Sequence, residues 1–155
     1  MKMAEEQTKK GKEPKFLPAP EVEELATEMI KEHHSFLREA NISYIFRTGK
    51  WNKRGIPVPG ELKLMSPYVK MLTGFDFGVI INFDYWLKMD DKLKRAVLDH
   101  ILSFAAAKED KEGNFQWTKE SPTVSEFPAV IARHGAYNAD LEILGNSFAE
   151  YKKGE

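Results

Sequence analysis

The stretch Leu98-Asp99-His100-Ile101-Leu102-Ser103-Phe104 sits inside the most regular helical pattern of the chain. Around it, Leu93, Val97, His100, Phe104 and Ala107 recur three and four residues apart, the spacing of one face of a helix. That stripe predicts a helix from about 91 to about 107 with His100 turned toward the core. Asp90 and Asp91 place negative charge at its start, where the backbone dipole favours it.

Working outward, Phe75, Phe77, Val79 and Ile81 alternate with Gly78 and Ile80, which predicts a strand over 75–82 with one strongly apolar face. Residues 84–89 are read as a single helical turn. Ser66-Pro67 opens and Thr73-Gly74 closes a short helical segment, and 61–65 alternates as a half-buried strand does. Before them, 42–47 is β-branched and aromatic enough to be a strand, followed by a loop over 48–59 punctuated by Gly and Pro. Val22, Leu25, Ala26, Met29, Ile30, His33, Phe36 and Leu37 recur at helical spacing and predict one helix over 21–39. Downstream, 108–113 reads as a charged turn, 114–118 as one arm of a small hairpin, 123–134 as a helix ended by Gly135, and 140–151 as a last helix. The expected fold is α+β: a short β-sheet packed by the N-terminal helix and by the helix carrying His100, closed by C-terminal helices.

The chain has 155 residues, enough for one domain with a real core. Residues 1–15 are rich in Lys, Glu and Gln with few bulky apolar side chains, so they are expected to form a disordered tail ahead of a single domain over 16–155. With 23 Lys+Arg against 24 Asp+Glu, the net charge of -1 provides no global field toward nucleic acid, an acidic ligand or a membrane surface. The absence of cysteine excludes disulfides, thiol catalysis and thiolate metal sites together. No apolar run is long enough to span a membrane, and the N-terminal residues lack the apolar core of a signal peptide.

A catalytic zinc helix presents H-E-x-x-H, in which two histidines one turn apart bind the metal and the glutamate activates the metal-bound water. Three blocks, Thr73-Gly74-Phe75-Asp76-Phe77, Leu98-Asp99-His100, and Glu126-Phe127 with Arg133-His134-Gly135, are similar in order and spacing to segments of one family. Over roughly 44–137 the chain resembles the putative phage metallopeptidase family, a small zincin-like group of bacteriophage and prophage genomes. The resemblance implies a zincin-like fold, and it lays the zinc helix H-E-L-C-H on His100, Ile101, Leu102, Ser103 and Phe104. The family's further histidine falls on Pro122. Isoleucine takes no proton from water, and phenylalanine and proline bind no zinc, so the chain reads as a degenerate member with a vestigial site at His100, Ile101, Phe104 and Pro122.

Other constellations are sparser. Adjacent His33 and His34 point about 100° apart on a helix, so one is expected half-buried and one exposed. Glu126 and His134, approaching His100 from a facing helix, would make a salvaged zinc site and a working metal hydrolase. Arg47, Lys50, Trp51, Lys53 and Arg54 gather four cations and an indole in one segment, a composition that suits phosphate contact with base stacking and also an ordinary solvated loop. The expectation is a catalytically inactive, zincin-like phage or prophage protein without cofactor. It would act in the cytoplasm of the bacterial host by binding another macromolecule, a host protein, in host takeover or anti-defence. Its alternatives are a metal-dependent peptidase with a rearranged zinc site and a nucleic-acid binder using 47–54.

Overall fold

The structure, a computed structural model, describes residues 13–122 and 127–154. The chain divides into two compact units, Met1–Glu120 and Ser121–Glu155. Within the first, strand β1 (Phe16–Pro18) leads into helix α1 (Pro20–His33), a turn of 3-10 helix (Ser35–Glu39) and strand β2 (Ile42–Arg47). A small hairpin, β3 (Asn52–Lys53) and β4 (Ile56–Pro57), precedes β5 (Gly60–Leu64), α2 (Pro67–Thr73), β6 (Phe77–Asn82) and the single turn α3 (Phe83–Trp86). Helix α4 (Asp91–Leu102) and a second hairpin, β7 (Ala105–Glu109) and β8 (Phe115–Lys119), complete it. The second unit holds helices α5 (Pro128–His134) and α6 (Ala139–Lys153). The protein is thus α+β.

The main sheet has the order β1-β2-β6-β5, with β2 and β6 parallel and both outer strands antiparallel to their neighbours. Phe46, Leu62, Phe77, Val79 and Ile81 lie buried on one face, and the apolar sides of α1 (Val22, Ala26, Met29, Ile30) and α4 (Leu98, Ile101, Leu102) complete the same core. Trp86 is buried beneath them and donates from Nε1 to Glu21 Oε1 at 3.0 Å, which ties α3 to the first turn of α1. Arg95 and Glu28 pair at 3.0 Å across the α1–α4 contact, an exposed pair that adds little by itself.

Asp76 fixes the entry to the two parallel strands. Its carboxylate, 5% exposed, accepts the Asn41 N–H at 2.8 Å and pairs with Lys70 Nζ at 2.6 Å, while the Asp76 N–H donates to the Asn41 carbonyl at 2.7 Å. The rest of the Thr73-Gly74-Phe75-Asp76 block serves the same corner. Gly74 takes the left-handed φ of 79° that ends α2, and Thr73 Oγ1 accepts from the Phe75 N–H.

Several sequence expectations change. The helix expected over 21–39 stops at His33, because His34 leaves helical geometry (φ −133°, ψ 46°) and a 3-10 turn follows. The helix expected through Ala107 stops at Leu102, since Ala105-Ala106-Ala107 pair as a strand with Trp117, Thr118 and Lys119. Alanine's helical preference yields to an available hairpin partner. Phe75, expected on the inner face of a strand, lies before β6 and is partly exposed. The loop expected over 48–59 contains β3 and β4. Of the helix expected over 123–134, Pro128–His134 is helical and 123–126 lies outside the described residues, as do residues 1–12 of the expected tail. Lys15 is tied in, exchanging backbone and side-chain hydrogen bonds with Thr48.

Replacing Asp76 by Ala leaves the Asn41 N–H without its acceptor and Lys70 without its partner. An expected loss of about 2–3 kcal/mol, read from urea unfolding, follows from removing a charged acceptor from a buried site. A loss below about 0.5 kcal/mol would show that the backbone exchange alone holds the corner.

Candidate functional site

Helix α4 carries the residues that the zinc motif singles out, and its orientation decides their chemistry. Ile101 is buried, and a Cβ added to Gly60 would stand 2.8 Å from its Cδ1 and 2.7 Å from the Ile80 carbonyl oxygen. Glycine is therefore what lets β5 approach the helix, and no space for water separates them. His100, one residue earlier, is exposed, contrary to the inward orientation expected from the stripe. Its ring meets Phe104 edge to face at 5.2 Å between centroids, and Lys119 Nζ lies 5.5 Å from the centre of the Phe104 ring. Pro122 and His134 belong to the second unit, and Glu126 lies outside the described residues.

Asp99 serves a different purpose from zinc chemistry. Its Oδ1 lies 2.6 Å from Nε2 of His34, which is almost fully buried, so with the carboxylate ionised the imidazole donates. This bond joins the end of α1 to α4. His33 is exposed, so the buried member of the histidine pair is His34, not the His33 of the expected apolar stripe.

These residues do not fit a zinc ion. The positions matched to the motif offer a single imidazole, and among the described residues no three His, Asp or Glu side chains gather as a ligand set. A better-formed concavity lies elsewhere, between α1, the 3-10 turn and β2. This cleft of about 670 Å³ is lined by the apolar Ile30, Leu37 and Ile42, by Lys31 and Arg38, and by Glu23 and Tyr44. Burial and the neighbouring Glu23 carboxylate hold the Tyr44 phenol above its ordinary value, so it stays protonated and can donate. No ion pair among the described residues engages Lys31, Arg38 or Glu23.

A family model described as putative phage metallopeptidase matches residues 14–149. The chain belongs to this family. No curated protein and no solved structure matches it. The matched span takes in β1, α1 and the cleft as well as α4, and so extends beyond the segments that carry the resemblance in the sequence. Among the described residues, no helix of this family member is long and apolar enough to cross a membrane.

The basic segment is divided between two elements. Arg47 ends β2 and lays its guanidinium over Trp51, 4.5 Å from the ring centre. Lys53 ends β3, and the two-residue turn Arg54-Gly55 leads into β4. Both turn residues have positive φ, 54° and 77°, the pattern of a type I′ hairpin that favours Asn-Gly. The hairpin was not visible in the sequence because Arg at its first turn position is not a turn signal.

Two substitutions follow from this geometry. Ile101→Glu, at the position the resemblance matches to a general base, buries a carboxylate in the core facing away from His100. It is expected to cost about 3 kcal/mol or more, measured by urea unfolding. Arg54→Asn relieves the left-handed strain of a long side chain and is expected to raise the thermal midpoint by about 2–4 °C. An unchanged or lower midpoint would mean that Arg54 makes a compensating contact.

Proposed function

We propose that this member of the phage metallopeptidase family keeps the family's zincin-like scaffold without its catalysis and acts by binding a host protein. The observation that carries the first half is the packing of Ile101 on Gly60 with His100 turned outward. The position matched to the general base is filled with hydrocarbon on a face that the single imidazole does not share. The packing of α1 and α4 on one face of a mixed sheet supports the zincin-like scaffold. In support of a binding role, the cleft between α1 and β2 has a volume in the range of ligand sites and presents cations and a carboxylate unused by the fold. The setting is the bacterial cytoplasm during phage development, and the biological role is host takeover or the disabling of a defence.

Metal analysis of untagged protein purified without chelator tests the first half. Well under one zinc per chain is expected, together with no cleavage of casein above the His100→Ala background. About one zinc per chain, lost on His100→Ala, would overturn the reading in favour of a metal hydrolase with a rearranged site. For the second half, a stoichiometric partner co-purified from host cells is expected to be released by the double variant Lys31→Glu, Arg38→Glu. Both side chains are exposed, so the fold is expected to survive. A partner retained at full strength by that variant would move the binding role away from the cleft.

A further inference from the structure

From Ala40 to Gly60 the chain contains no Asp or Glu and four cations: Arg47, Lys50, Lys53 and Arg54. None of the four makes an ion pair among the described residues, and Arg47 Nε is buried without a hydrogen-bond partner. The fold gathers this uncompensated charge at one place. Arg47 lies directly opposite Phe16 in the β1–β2 ladder and opposite Asn82 in the β2–β6 ladder. Side chains opposite one another share a face, so Phe16 and Arg47 stand together on the side of the sheet away from Phe46 and the buried core. Phe16 is 56% exposed there, and the stack of Arg47 on Trp51 links that face to the β3–β4 hairpin, where Lys53 and Arg54 are exposed.

We propose that this face, made of Phe16, Arg47, Lys50 and the β3–β4 hairpin with Lys53 and Arg54, binds single-stranded nucleic acid. The exposed lysines and arginine meet backbone phosphates, and the Phe16 ring beside the stacked guanidinium receives an unpaired base. A sheet face with an exposed aromatic ring suits splayed bases, whereas reading a duplex takes a helix or ribbon long enough to fill a groove, and β3 and β4 have only two residues each. A charged surface for an acidic protein would need no such ring. The whole-chain charge of -1 does not oppose this, because screening confines the relevant field to about 8 Å at physiological salt. The inference is independent of the zinc question and of the α1–β2 cleft.

Fluorescence anisotropy with a labelled oligothymidylate of about 20 nucleotides, titrated with full-length protein at about 50 mM salt, tests it. The expected result is saturable binding that weakens steeply with salt. The double variant Lys53→Gln, Arg54→Gln should weaken binding by about tenfold and make the salt slope shallower by about 1.4, because two phosphates are no longer neutralised. Phe16→Leu, which keeps an apolar side chain at the sheet edge, should weaken binding by about tenfold with the salt slope unchanged. Circular dichroism on each variant separates weakened recognition from a lost fold. No binding by the folded wild type, binding indifferent to the hairpin substitutions, or equal affinity for a duplex of the same length would each overturn the proposal. Equal competition by polyglutamate with no effect of Phe16→Leu would overturn it in favour of an acidic protein partner.

Discussion

On helix α4, Ile101 packs directly against Gly60 of β5, and its burial with Leu98 and Leu102 sets the rotation of the whole helix. Neighbouring residues on a helix point about 100° apart, so Ile101 buried on Gly60 leaves His100 facing outward. Leu98 and Leu102 follow Ile101 into the core, while Asp99 lands where His34 can reach it. The same rotation places the apolar side of α4 in one core with Val79 and Ile81 and brings Arg95 to Glu28 on α1. A metal site at these positions would need the opposite arrangement, with polar side chains facing a wet cavity and a gap left between helix and strand.

Two of the three blocks that carry the resemblance in the sequence do structural work in this chain. Thr73, Gly74 and Asp76 build the corner that starts β2 and β6 together, with one buried carboxylate serving a backbone amide and a lysine. Asp99, the middle residue of Leu-Asp-His, clamps the end of α1 by holding His34. Asp76 and His34 are buried, and a buried polar group is costly unless its partner is present, which ties these pairs to the fold whatever chemistry the protein performs. A match to the family over residues 14–149 can therefore rest on residues that build the fold.

Patterns of two and of three to four were legible in the sequence wherever local periodicity and tertiary packing agree. β2, β5, β6, α2 and α3 fall close to where alternation, Ser66-Pro67 and Thr73-Gly74 put them. The errors in the helices share one cause. The stripe through Leu93, Val97, His100 and Phe104 and the inner face of Leu98, Ile101 and Leu102 are both apolar at helical spacing, and only the presence of β5 selects between them. Likewise Ala105 to Ala107 reads as helix until Phe115 to Lys119 offers a ladder, and His34 reads as helix until Asp99 offers a partner 65 residues away. The positive-φ Arg54 was illegible because the turn runs against its residue preference.

Charge follows the same division between local and global. A net charge of -1 describes a near-neutral protein, yet the neutrality is an average over segments of opposite character. On the α1–α4 side Glu28 pairs with Arg95 and Asp99 holds His34, and Lys70 is committed to Asp76. Among the described residues Arg47, Lys50, Lys53 and Arg54 have no such assignment, and Arg47 lies against the aromatic face of Trp51. An arginine that packs on an indole loses rotamer freedom before any ligand arrives. The constraint that stabilises the end of β2 thus also sets a cation in place on the sheet face that carries Phe16.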